Sequence, residues 1–87
     1  MAYKVIFTKT ALDSLKKIDR TIINRIIDKI DWLSLNLDLI KPIKLKGNLS
    51  SLYKLRVGNY RVIYEIDLDK LEITIHFVGH RRDIYKI

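Results

Sequence analysis

Seventeen Lys and Arg against ten Asp and Glu give this 87-residue chain a formal charge of +7, and it contains no cysteine. The missing thiols exclude disulfides and cysteine-based zinc sites, and they fit a reducing, cytoplasmic compartment. At 48% hydrophobic with one Pro and three Gly, the chain should fold as one domain over residues 1–87 around a modest core, and no stretch nears the ~18 apolar residues of a membrane span.

The charge is unevenly placed. Residues 39–64 hold six Lys and Arg and no acid. A basic block inside a folded domain favours a nucleic acid or an acidic protein as partner.

In chain order, residues 2–7 read as a strand with Tyr3, Val5 and Phe7 on one side. Thr8 or Thr10 can cap the helix that follows, and Thr10 with Asp13 resembles a capping box with Asp in place of Glu. Ala11, Leu12, Leu15 and Ile18 recur at helical spacing, which predicts a short helix over 9–18. Asp19 is a candidate cap for a second helix, completing an αα-hairpin. Ile22, Ile23, Ile26, Ile27, Ile30 and Leu33 form its apolar stripe, which outweighs the modest helix propensity of isoleucine. This helix should end near Leu35 or Asn36, with Trp32 partly exposed at the stripe's edge.

Residues 36–51 read as a connector in which Pro42 bars a continuing helix. Lys44 and Lys46 lie in it as candidate phosphate contacts. Leu52 to Tyr64 then alternates apolar and basic residues on both sides of Gly58-Asn59, a two-residue hairpin signal. The turn pairs Val57 with Tyr60, Arg56 with Arg61, Leu55 with Val62 and Lys54 with Ile63. Tyr53, Leu55, Val57, Tyr60, Val62 and Tyr64 share one face, and Lys54, Arg56 and Arg61 share the other. Like charges directly opposite destabilise a sheet by roughly 0.2–1 kcal/mol. Arg56 opposite Arg61 therefore suggests an anion-binding face, with a solvated strand face as the plainer alternative.

Glu72 to Val78 alternates again after a turn at Asp67-Leu68-Asp69-Lys70. Closing Ile66 against Leu71 would set Arg61 opposite His76 and gather Lys54, Arg56, Arg61 and His76 on one face. Gly79 permits a bend at the strand end that could bring His80, Arg81 and Tyr85 over that face, with Arg82 beside them.

No Gly-rich phosphate loop or Ser-His-Asp set is present, and His76 and His80 are too few for a convincing metal site, so no metal or cofactor is expected. Lys, Arg, His and Tyr around a cationic face suit metal-free RNA cleavage. Arg supplies bidentate phosphate donors, a lysine crowded by arginines can serve as a base, and a Tyr ring can stack on a base. A plain RNA-binding face would use the same residues.

The hairpin Leu52 to Ile66, followed by Val-Gly-His-Arg-Arg-Asp-Ile-Tyr, resembles the RelE toxins of the RelE/ParE superfamily. Similarity extends to the Ala-Tyr-Lys-Val-Ile-Phe start, the two helices and Leu45-Lys46-Gly47. The resemblance and the pattern of elements together imply an α+β domain ordered β-α-α-β-β-β, a mainly antiparallel twisted sheet packed on a helical hairpin. The resemblance further implies a type II toxin that cleaves mRNA in the ribosomal 30S A site without metal, inhibits translation, is neutralised by a cognate antitoxin, and meets operator DNA only through the antitoxin complex. By position, Lys54 matches a family lysine assigned to base or transition-state work and Arg61 the arginine that holds the scissile phosphate. Arg81 matches the arginine for the transition state or leaving group, and Tyr85 the tyrosine that stacks on the substrate base. Arg56 matches a further basic position. Leu52 departs from the pattern, because well-known members carry a second lysine there, and His80 becomes a second candidate base. The alternatives are a ParE-like member, which poisons DNA gyrase and is not a nuclease, and a toxin homologue that has lost its activity.

Overall fold

A computed structural model of the chain describes residues 2–45, 47 and 51–84. In chain order the elements are β1 (Lys4–Phe7), α1 (Lys9–Leu15), α2 (Arg20–Asn36), a 3-10 turn (Leu37–Leu39), β2 (Ile43–Lys44), β3 (Tyr53–Val57), β4 (Tyr60–Asp67), β5 (Glu72–His80) and α3 (Arg81–Ile84). The five strands form one sheet in the order β1-β5-β4-β3-β2. Every neighbouring pair is antiparallel except β1 with β5, which run parallel. The expected α+β architecture is present, with β2, the 3-10 turn and α3 added to it.

The core lies between the helices and one sheet face. Helix α2 buries Ile26, Ile30 and Leu33, while Leu55, Val62, Tyr64, Ile73, Ile75 and Val78 meet them from the sheet. Complete burial of each such side chain contributes about 1.5–3 kcal/mol, so the isoleucine stripe stabilises a helix its propensities would not. Helix α1 is shorter than its periodicity suggests. Its cap is Thr8, whose Oγ1 accepts from the Ala11 N–H at 3.1 Å. After Leu15 the N–H groups of Lys16, Lys17 and Ile18 bond three residues back, which tightens the chain into a turn, and Leu12 is left 49% exposed. The Tyr3 hydroxyl donates to Asp38 at 2.8 Å, tying the residue before β1 to the 3-10 turn that follows α2. That bond, then burial, raises the tyrosine's pKa.

The β3–β4 hairpin has the register its turn demands, from Val57↔Tyr60 through Arg56↔Arg61 to Tyr53↔Tyr64. Gly58 takes φ +58 and Asn59 does not share it, as a type II′ turn requires. The β4–β5 register differs from the expected one. Asp67 pairs with Glu72, and Leu71 leaves the ladder with φ +54 while Asp67 Oδ1 accepts from the N–H groups of Asp69 and Lys70. A turn held by its own aspartate therefore set the register: the loop keeps four residues but moves one position on, from 67–70 to 68–71, so that Ile66 faces Ile73 and not Leu71. The ladder then shifts between Ile63 and Tyr64: Tyr64 pairs with Ile75 but Ile63 with Phe77. His76 is the extra residue of a β-bulge; the turn register and the bulge together set Arg61 opposite Gly79 and not His76.

The bulge is braced from α1. Thr8 Oγ1 donates to the His76 carbonyl at 3.4 Å, and the Val78 N–H donates to Ser14 Oγ at 3.1 Å. Ser14 in turn donates to the Ala11 carbonyl at 2.7 Å. These side chains occupy backbone groups that β1, ending at Phe7↔Ile75, no longer reaches.

Candidate functional site

The outer face of the sheet, opposite the helices, carries Lys54, Arg56 and Arg61. Arg56 stands directly across from Arg61, and Lys54 is its diagonal neighbour, about 7–8 Å away by sheet geometry. Arg61 is 7% exposed. Its Nη1 donates to the Gly58 carbonyl at 3.1 Å and the Tyr60 carbonyl at 2.9 Å, so the hairpin turn clamps the guanidinium. Among the described residues the only ion pairs are Lys16 with Asp13 and His76 with Glu65. Arg61 is therefore a buried cation held by two neutral carbonyls, with no carboxylate of the described residues at ion-pair distance. A buried charge without a counter-charge is costly, and an anion arriving there recovers that cost.

The other expected site residues divide. Arg81 opens α3, and its N–H donates to the Asn59 carbonyl at 2.8 Å, which pins the strand end to the same turn that holds Arg61. Arg56, Arg81 and Arg82 are exposed and Lys54 is half-buried. His76 does not join the cluster. It bonds Glu65 at 3.0 Å, two positions beyond Ile63 on β4. The bend expected at Gly79 does not form, because β5 continues to His80, which pairs with Tyr60. His80 thus shares the core-side face of the sheet with Tyr60, its ring edge-on to that ring at 5.5 Å. Its Nδ1 accepts from the Arg82 N–H at 3.3 Å and caps α3. Lys44 is a strand residue in register with Tyr53, so it too lies on the face opposite Lys54. Lys46 and Tyr85 lie outside the described residues.

Phe77 is not among the expected site residues, since strict alternation along β5 places it on the core side. The bulge turns it onto the outer face, opposite Ile63. The available signal was Gly79: a glycine inside a strand marks a bulge or a close approach. A second feature lies around the turn. A groove of about 490 Å³ runs between α2 and the hairpin, lined by Arg25, Asp28, Lys29, Trp32, Arg56, Val57 and Gly58. Trp32 is 39% exposed there, with Lys29 Nζ 3.9 Å above its ring. Among the described residues no helix is long and apolar enough to cross a membrane.

This geometry has close counterparts. The chain matches, over residues 5–85, the family described as the ParE toxin of type II toxin-antitoxin system, parDE. It is 34% identical to Toxin RelG of Mycobacterium tuberculosis, with 99% of both chains covered. It is 38% identical to Toxin RelE3 of Methanocaldococcus jannaschii, with 94% of both covered. Among solved structures, the RelBE2 toxin-antitoxin complex of M. tuberculosis contains a chain that superposes with a TM-score of 0.84 at 29% identity, covering 93% of each. The RelB-RelE antitoxin-toxin complex of Methanococcus jannaschii gives 0.69 at 32% identity, covering 93% of this chain and 95% of that one. Match, identity and superposition all span nearly the whole chain, and the chain belongs to the RelE/ParE superfamily of type II toxin–antitoxin toxins.

Proposed function

We propose that this toxin is a ribosome-dependent, metal-independent endoribonuclease that cleaves mRNA in the A site and halts translation. The observation that carries the reading is Arg61, a buried guanidinium that has no carboxylate partner among the described residues, set in a face of further cations that have none among them either. In this reading Arg61 grips the non-bridging oxygens of the scissile phosphate. Lys54 takes the proton of the 2′-hydroxyl, whose oxygen attacks the adjacent phosphorus. The phosphorus–5′-oxygen bond breaks, and Arg81 stabilises the leaving oxygen until it is protonated. The products are a 2′,3′-cyclic phosphate and a 5′-hydroxyl. Lys54 is preferred to His80 as base because it shares Arg61's face of the sheet. Arg56 and Arg82 contribute phosphate contacts, and Tyr85 is assigned the substrate base by family position alone.

The partner that holds such a toxin in check is a cognate antitoxin, as in the RelBE complexes it resembles, with operator DNA reached through the pair. Mapping mRNA 5′ ends after induction tests the activity. Cuts within translated codons are expected. The matched family bears the ParE name, which favours a second reading, a gyrase poison without nuclease activity. Intact mRNA with gyrase-dependent DNA damage would establish that reading and overturn the first.

A further inference from the structure

We infer that Phe77 provides a stacking surface for a nucleobase next to the phosphate that Arg61 holds, an inference that rests on the RNA-cleaving reading. The β-bulge is what puts the ring there. If the ladder continued in the register of Tyr64↔Ile75, Phe77 would face Val62 in the core and Val78 would face Arg61. The extra residue exchanges them: Val78 is 1% exposed inside, and Phe77 emerges half-buried on the cationic face. Expelling the larger apolar side chain and burying the smaller one runs against core packing. Thr8 and Ser14 nonetheless hold the bulge in place. Bulges beside functional sites commonly re-aim a side chain in this way.

Gly79 fixes the ring's position. A Cβ on residue 79 would stand 2.6 Å from Phe77 Cε2 and 3.0 Å from Cζ, so the ring folds across the bare backbone of Gly79. Gly79 is the residue in register with Arg61. The ring thus lies against the strand beside the buried guanidinium, on the outer side of the sheet and half-buried. The glycine is required here by close approach, since its φ is not positive. An aromatic platform beside a phosphate-binding cation is the arrangement that holds single-stranded RNA, with the charge on the backbone and the ring on a base.

The test is equilibrium binding of a fluorescently labelled RNA hexanucleotide, run beside single-turnover cleavage of ribosome-bound mRNA. The proteins compared are the parent, Phe77→Leu, Phe77→Trp and Gly79→Ala. Leucine keeps an apolar side chain but has no π-face, so Phe77→Leu should weaken hexanucleotide binding about 5–150-fold, the loss of one base stack. Phe77→Trp should bind as tightly as the parent or tighter. Gly79→Ala, whose methyl group displaces the ring, should fall with Phe77→Leu. Binding that is unchanged in Phe77→Leu, or equally weak in Phe77→Trp, overturns the inference, as does a parent that does not bind the hexanucleotide. A parent that leaves ribosomal mRNA intact, yet keeps the contrast between leucine and tryptophan, refutes the nuclease reading and leaves the stacking surface standing.

Discussion

The outer face of the sheet has two ends, and they treat charge in opposite ways. At the β4–β5 turn, Glu65, Asp67, Asp69 and Glu72 gather around a depression that also includes Lys70 and Thr74, and Glu65 is paired with His76. At the hairpin end, Lys54, Arg56 and Arg61 crowd together with no carboxylate of the described residues at ion-pair distance, and the most buried of them donates to two carbonyls. The acidic end shows that this chain can place carboxylates along β4. Their absence beside Arg61 leaves electrostatic free energy unspent in the free protein, available to a phosphate. Strain of this kind concentrates at functional sites because the rest of the fold can carry it.

Five substitutions test the contrast and the core beneath it. The largest effect is expected at Lys54. In single-turnover cleavage of ribosome-bound mRNA, Lys54→Ala should lose ~10²–10⁴-fold, as for removal of a general base, while His80→Ala stays near the parental rate. The reverse pattern would transfer the proton to His80. Arg61→Met should cost ~10²–10³-fold, comparable to removing one donor to a transition-state oxyanion. Its stability should match or exceed the parent's at low ionic strength. The methionine keeps an apolar stem in place, the repulsion from Arg56 disappears, and water can reach the freed turn carbonyls. A variant that melts well below the parent would make Arg61 a structural residue and end its role as the phosphate anchor.

The third effect belongs to the core. Burial, then the neighbouring Tyr53, pushes the Tyr64 hydroxyl up to about 12. Tyrosine in an unfolded chain ionises near ~10. Below that value both states hold the proton and the contribution is fully present. As pH rises from there through the folded-state value, the unfolded chain ionises first, and stability falls by about 1.4 kcal/mol per pH unit. Tyr64→Phe should lack this component, which comparison of alkaline unfolding curves would show. The smallest effect is expected at Glu65→Gln. It breaks a pair whose side chains are 37% and 52% exposed, so denaturant midpoints should move by no more than ~1 kcal/mol, with cleavage unchanged. A large loss of activity would bring the acidic end into the site.

Much of this molecule is written in local patterns. The isoleucine spacing of α2 dictates which side is buried, because a helix repeats every 3.6 residues whatever it packs against. Gly58-Asn59 dictates the pairing of β3 with β4, because a two-residue turn leaves one register open. From that register alone Lys54, Arg56 and Arg61 share a face, and most of the candidate site follows. Three features depended on contacts between distant parts of the chain. The parallel pairing of β1 with β5 has no local signal. The burial of Arg61 reflects how the turn folds over its own arginine. The bulge at His76 forms where Thr8 and Ser14, more than sixty positions away, take over the backbone groups of β5. Alternation alone carries His76 to the cationic face and Phe77 to the core. One extra residue in the ladder, supported by α1, brings Phe77 out onto that face and Val78 into the core, while His76 stays outside, bonded to Glu65 toward the acidic end, because side chains on a strand alternate and a single-residue shift moves those beyond it to the other side.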